Sequence, residues 1–110
     1  MTPGRIRLEL EEAQRQNDGL GGHVVTWRRL GVLYGAMDSG SGRRRSAQVG
    51  PESVVSWRIT VRGARAGDPR RPRAGQRFRL GQRLFRIDAV AEKDSAGRWL
   101  TCFATEEVQA

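Results

Sequence analysis

Residues 76–90 narrow what this chain can fold into more than any other stretch. Phe78 and Leu80 alternate with Arg77 and Arg79. Beyond a short break, Phe85, Ile87 and Ala89 alternate with Arg86 and Asp88. A period of two puts apolar side chains on one face of a strand and charges on the other. Gly81-Gln82 separates the two runs, and a Gly-X pair suits a two-residue type II′ turn, because glycine takes a positive φ without steric cost. A hairpin by itself is marginal in water. Further strands must therefore cover its apolar face.

The remaining alternations supply them. Ile6, Leu8 and Leu10 alternate with Arg7, Glu9 and Glu11, which predicts a first strand. Asn17-Asp18-Gly19-Leu20-Gly21-Gly22 is a turn cluster, and it lacks the Gly-Lys-Ser/Thr ending of a phosphate-cradling loop. His23 to Met37 predicts a long second strand, with Gly31 and Gly35 marking bulges or bends. Residues 38–53 lose all apolar periodicity and predict a long flexible loop. Residues 54–62 predict a third strand with Val55, Trp57, Ile59 and Val61 on the apolar face. Residues 63–75 are a second irregular, flexible segment, rich in Arg and Pro. The hairpin gives strands four and five. Trp99 to Thr105 predicts a last strand carrying Trp99 and Phe103 on one face and Leu100, Cys102 and Ala104 on the other, a pattern that fits burial on both sides.

The expected fold is all-β. One domain spans residues 1–110 and holds about six antiparallel strands in a small SH3-like barrel or sandwich, with no helix. A chain of 110 residues has room for one such core.

Chemistry is sparse. His23 is the only histidine and Cys102 the only cysteine. Metal centres and nucleophilic sites need several convergent groups. His23 reads as a turn-edge residue and Cys102 as a small buried apolar one. Glu9, Glu11, Glu12, Glu106 and Glu107 read as solvated charges. No enzyme, metal or cofactor is expected. A lone cysteine does not make a disulfide-stapled secreted domain, and no apolar run reaches membrane-spanning length, so a soluble, intracellular chain is expected. Trp57 shares its phase with Ile59 and Val61, the pattern of a core rather than of a platform on which bases stack.

Charge is the other strong feature: 20 Lys+Arg against 12 Asp+Glu, a net +8. Either the surface faces nucleic acid or an acidic partner, or the arginines reflect codon usage in a GC-rich genome. Two basic loops stand out, Arg43-Arg44-Arg45 and the segment holding Arg70, Arg71 and Arg73. These six arginines are the candidate contacts to DNA in a channel or to a neighbouring ring subunit.

The order of features resembles a known family. Arg5-Ile6-Arg7-Leu8-Glu9-Leu10, Asp18-Gly19-Leu20-Gly21-Gly22, Trp27 and Leu33-Tyr34-Gly35-Ala36-Met37 look like the start of phage head–tail joining proteins. Ser56-Trp57-Arg58-Ile59-Thr60-Val61-Arg62, Gly75-Gln76-Arg77-Phe78 and Arg83-Leu84-Phe85-Arg86-Ile87-Asp88-Ala89-Val90 continue the likeness. It covers nearly the whole chain and rests on order and spacing. Tyr34-Gly35-Ala36 carries one residue more than the family's aromatic-Ala pair.

The resemblance implies a head-closure, or stopper, protein. Such a protein forms a homo-oligomeric ring, six- or twelve-fold, between the portal and adaptor above and the tail terminator or tail tube below. It retains packaged double-stranded DNA and docks the tail. The module also occurs in bacterial gene transfer agents. The implied location is the neck of a virion or phage-like particle assembled in the bacterial cytoplasm, with no membrane partner. The loop after strand two is expected to reach the lumen or the next ring. The alternative is a free-standing nucleic-acid-binding barrel.

Overall fold

A computed structural model describes residues 6–39 and 55–107. Six strands run in chain order: β1 Ile6–Asn17, β2 His23–Ser39, β3 Ser56–Arg62, β4 Arg77–Leu80, β5 Arg83–Glu92 and β6 Trp99–Glu107. All pairings are antiparallel and close in the order β1-β2-β3-β6-β5-β4, a barrel. Closure leaves no sheet edge along the barrel wall, and so solves the covering problem posed by the β4–β5 hairpin. The chain is all-β as expected, with no helix among the described residues.

The hairpin forms as its turn residues dictate. Leu80 pairs with Arg83, leaving Gly81-Gln82 as the loop. Gly81 has φ +64 and among the described residues no non-glycine has positive φ, which fits type II′ and excludes type I′.

The core lies along the barrel axis. Leu8, Leu10, Ile59, Val61, Phe78, Phe85, Leu100 and Cys102 are fully buried, with Ile87 and Ala104 beside them. These are the alternating residues of every strand except long β2, which contributes Leu30, Leu33 and Met37 at the margin.

Two bulges change the parity that the sequence suggests. The β5–β6 register shifts between Ile87 and Ala89. One extra residue reverses the facing of all that follow. Ala89, expected inside, is therefore exposed, and Val90 packs against the core in its place. The β1–β2 register shifts between Leu10 and Glu11, opposite the Gly31 marked from sequence.

The expectation that β6 is buried on both faces is corrected. Leu100, Cys102 and Ala104 face the core, but Phe103 is 41% exposed. Phe103 alternates with these core residues and so lies on the outer face of the barrel, where water reaches it. Val55 is also exposed, because it precedes β3 rather than belonging to it.

β2 and β3 approach closely at Gly35. A Cβ there would run into the Thr60 carbonyl oxygen and come within 2.9 Å of Val61 Cγ1. Backbone cannot yield as a flexible side chain does. Gly35→Ala should lower stability by about 1–3 kcal/mol or more, read as a drop in the thermal midpoint. A midpoint equal to that of the parent would show that the two strands are not so close.

Candidate assembly and nucleic-acid surfaces

Two features stand off the barrel: a ribbon and an end cap. β1 pairs with β4 only over Glu9–Glu11, and β2 pairs with β3 only over Gly35–Ser39. Beyond those points β1 and β2 pair only with each other, from Glu12↔Arg28 to Asn17↔His23. The result is a two-stranded arm that extends past the wall. The radius of gyration, 15.2 Å, exceeds the ~13 Å of a compact domain of about 100 residues.

The arm's tip is built by side chains capping backbone. Asp18 Oδ1 accepts from Leu20 N at 2.7 Å and Gly22 N at 3.0 Å, and Asn17 Oδ1 accepts from Gly19 N. The hydrogen bonds from Leu20 and Gly22 hold the Asp18 carboxyl below its usual range. This fixed turn presents Leu20, 89% exposed, with Val24 and Val25 half-exposed behind it. His23 begins β2 beside the turn, as expected, and is exposed.

At the arm's base, Glu11 is buried, 7% exposed, against the expectation of a solvated charge. The reason is pairing. Arg77 Nε donates to Glu11 Oε1 at 2.7 Å, and Arg79 Nε to Oε2 at 2.9 Å. Burial pushes the carboxyl up, but the hydrogen bonds and charges of Arg77 and Arg79 outweigh it and hold it below its ordinary 4.5. The Arg77 guanidinium lies 3.9 Å over the Trp27 ring, so the cluster ties β1, β2 and β4 together.

The end cap is residues 63–76. It carries no strand and is tied by its own hydrogen bonds. Arg65 O accepts from Asp68 N, Asp68 O from Arg71 N, and Arg73 O from Gln76 N. Gly63 N donates to Arg98 O at 2.7 Å, and Gln76 O accepts from Ile87 N, which join the segment to β5 and the β5–β6 turn. Pro72 is fully buried.

The candidate arginines divide. Arg43, Arg44 and Arg45 lie outside the described residues. Arg70 lies with its stem against Gly31, and its Nε is 3.7 Å from Asp68. Arg71 is half-buried and donates through Nη1 to the Ala64 carbonyl at 2.6 Å. Arg73 is exposed. Sequence order alone missed Arg98, which the Gly63 hydrogen bond brings to the cap. Arg62, Arg65, Arg70, Arg71 and Arg98 border one shallow groove of about 680 Å³, with Asp68 and Glu92 the only acids on its rim among the described residues.

Ion pairs decide where the positive charge is felt. Arg7, Arg28, Arg29, Arg77, Arg79, Arg83 and Arg86, all on β1, β2, β4 or β5, have carboxylates within 4 Å. Among the described residues Arg62, Arg65, Arg71 and Arg73 have none, and all four belong to the capped end. Of the other described arginines only Arg15 on the arm and Arg58 on β3 also lack one, while Arg70 and Arg98 are paired, so unpaired arginines are most frequent at the capped end, although the arginines run through the whole sequence.

Among the described residues no catalytic constellation assembles. Cys102 is buried in the core, and burial pushes its thiol up to about 12. Among the described residues no three His, Cys, Asp or Glu cluster as metal ligands. The groove has no nucleophile–base pair on its rim. No helix of the described residues is long and apolar enough to cross a membrane.

Each tryptophan ring is covered by an arginine of the same chain: Trp27 by Arg77, Trp57 by Arg83 and Trp99 by Arg62. Trp57 is half-buried rather than central. It meets Phe85 edge-on at 6.0 Å and donates through Nε1 to Glu106.

A family model described as phage head completion protein matches residues 2–107. A chain in the solved virion of a native gene transfer agent particle is 45% identical, with a TM-score of 0.82 over 100% of both chains. A Shigella flexneri 2a protein solved in solution shares the fold, with a TM-score of 0.69 at 18% identity, over 98% of this chain and 96% of that one. No curated protein sequence matches.

Proposed function

The chain belongs to the phage head completion protein family, and from that premise we propose that it closes the head of a gene-transfer-agent-like particle. Members of this family are structural proteins, not enzymes. In this reading copies of the chain form a ring at the neck, below the portal and adaptor. The ring holds packaged double-stranded DNA and receives the tail. The observation that carries the reading is full-length 45% identity to a chain of a gene transfer agent virion.

The arginine distribution supports a role for the capped end. Arg62, Arg65 and Arg73, without carboxylate partners among the described residues, are exposed at one end, where they would meet phosphate without reading sequence. We assign the DNA-facing role to this end, and by composition alone extend it to Arg43, Arg44 and Arg45. The covered tryptophan faces weigh against the alternative of a free-standing single-strand binder, which needs open rings for bases to stack on.

Two experiments test this. Electron microscopy of particles carrying a tagged chain should place the tag at the head–tail neck. A tag elsewhere in the particle would end the reading. Arg65 and Arg73 carry no ion pair among the described residues, so Arg65→Glu with Arg73→Glu should fold normally. Particles bearing both changes should lose DNA at lower salt than the parent, since each lost phosphate contact removes about 0.9 from the salt slope. Unchanged DNA retention across the salt series would remove the capped end from the channel.

A further inference from the structure

We infer that a pocket between the base of the arm and the end cap holds a single phosphate group. The pocket shares Arg73 with the DNA-facing end proposed above and so deepens that reading, but it is a seat for one anion rather than an open face. Its volume is about 180 Å³. Glu12 and Arg28, a cross-strand pair on β1 and β2, line it from the arm, and Asp68, Arg71, Arg73 and Gln76 line it from the cap.

Gln76 is 6% exposed. Its Oε1 accepts from Arg73 N at 2.8 Å, and Arg73 O accepts in turn from Gln76 N at 3.1 Å. The first of these bonds fixes which end of the amide is oxygen, and leaves Nε2 with two N–H donors. Among the described residues Nε2 has no acceptor. Buried donors without partners are rare in folded chains, and one that lines a pocket points to whatever fills it.

The carboxylates of the lining are already engaged. Arg28 Nη2 donates to Glu12 Oε2 at 2.6 Å. Asp68 Oδ1 accepts from Arg70 N at 2.8 Å, with Arg70 Nε 3.7 Å away. Arg71 and Arg73 have no carboxylate within 4 Å among the described residues. Arg71 is also held in place, since its Nη1 donates to the Ala64 carbonyl at 2.6 Å and its backbone N to Asp68 O at 2.9 Å. Two cations and a neutral donor call for an anion with several oxygens. Water satisfies an amide but does not balance two guanidinium charges. A carboxylate, with two oxygens and one charge, answers fewer of these donors. Phosphate answers all of them, and guanidinium forks match its oxygens.

Calorimetric titration of the purified full chain with inorganic phosphate, at constant ionic strength, tests the pocket and should show saturable binding. Gln76→Glu keeps the acceptor for Arg73 N and replaces the amide donor with a negative charge. Arg73→Gln removes an exposed guanidinium that has no side-chain partner among the described residues. Each should weaken phosphate binding by about tenfold or more while the circular dichroism spectrum is kept. Arg58→Gln on β3, outside the pocket, lowers the net charge by the same amount and should leave the affinity unchanged. Equal weakening in all three variants would mean a general attraction to a basic chain and would overturn the site. No saturable binding, or acetate binding as tightly as phosphate, overturns it as well. A short DNA duplex added to the phosphate-loaded chain separates the two sources of the group: displacement assigns the pocket to backbone phosphate, retention to free phosphate. Failure of these titrations leaves the neck assignment standing, and a tag found away from the neck leaves the pocket standing.

Discussion

Glu11→Ala should lower the unfolding free energy by about 3 kcal/mol, the low end of what breaking a buried ion pair costs. Removing the carboxylate strands two guanidinium groups. Arg77 has a side chain only 10% exposed, so its charge keeps the Trp27 face but loses its counter-ion. Arg79, at 36%, can turn towards water and loses less. A domain of this size has only about 5–15 kcal/mol to spare. Glu11→Gln should cost less, since the amide oxygen still accepts one hydrogen bond. The pH dependence follows from the sign of the shift. The folded carboxyl sits below its ordinary 4.5, so its contribution is complete above that value and is lost as pH falls through the lowered one. Urea unfolding of parent and Glu11→Gln should therefore differ at neutral pH and converge as pH falls through the lowered value. A constant gap across that range would mean the pair contributes shape rather than charge.

The same carboxylate shows where the sequence stops being informative. Alternation predicts Glu11 on the outer face of β1, and that is where it lies. Alternation says nothing about what covers that face, which here is Arg77, Arg79 and Trp27 arriving from two other strands. The turns were legible because their cause is local: Gly81 needs only its own φ. Bulges were legible only in part. Gly31 announced one, but no residue type announces the shift between Ile87 and Ala89, and one unannounced residue sent Ala89 out and Val90 in. The candidate surface divides the same way. Arg70, Arg71 and Arg73 form a visible run, yet their importance comes from subtraction. Ion pairs that only folding creates neutralise most of the described arginines elsewhere, leaving Arg15 and Arg58. Leu20, next to three glycines, reads as part of a turn; that it stands alone in water depends on how far β1 and β2 outrun their neighbours.

The second large effect tests inner against outer parity directly. Phe85→Ala should cost about 3–5 kcal/mol, as large aromatic truncations in cores do. At roughly 4–8 °C per kcal/mol for a chain of this length, the thermal midpoint should fall by about 15 °C or more. Phe85 is fully buried and meets Trp57 edge-on at 6.0 Å and 89°. Its loss leaves a void that the closed wall cannot collapse into, and frees one side of Trp57. Phe103→Ala removes the same side chain from β6, but from the face in water, and should change stability by no more than about 0.5 kcal/mol. The two phenylalanines are indistinguishable by residue type and lie on adjacent strands. If both variants melted together well below the parent, the barrel would carry a second packed layer outside β6.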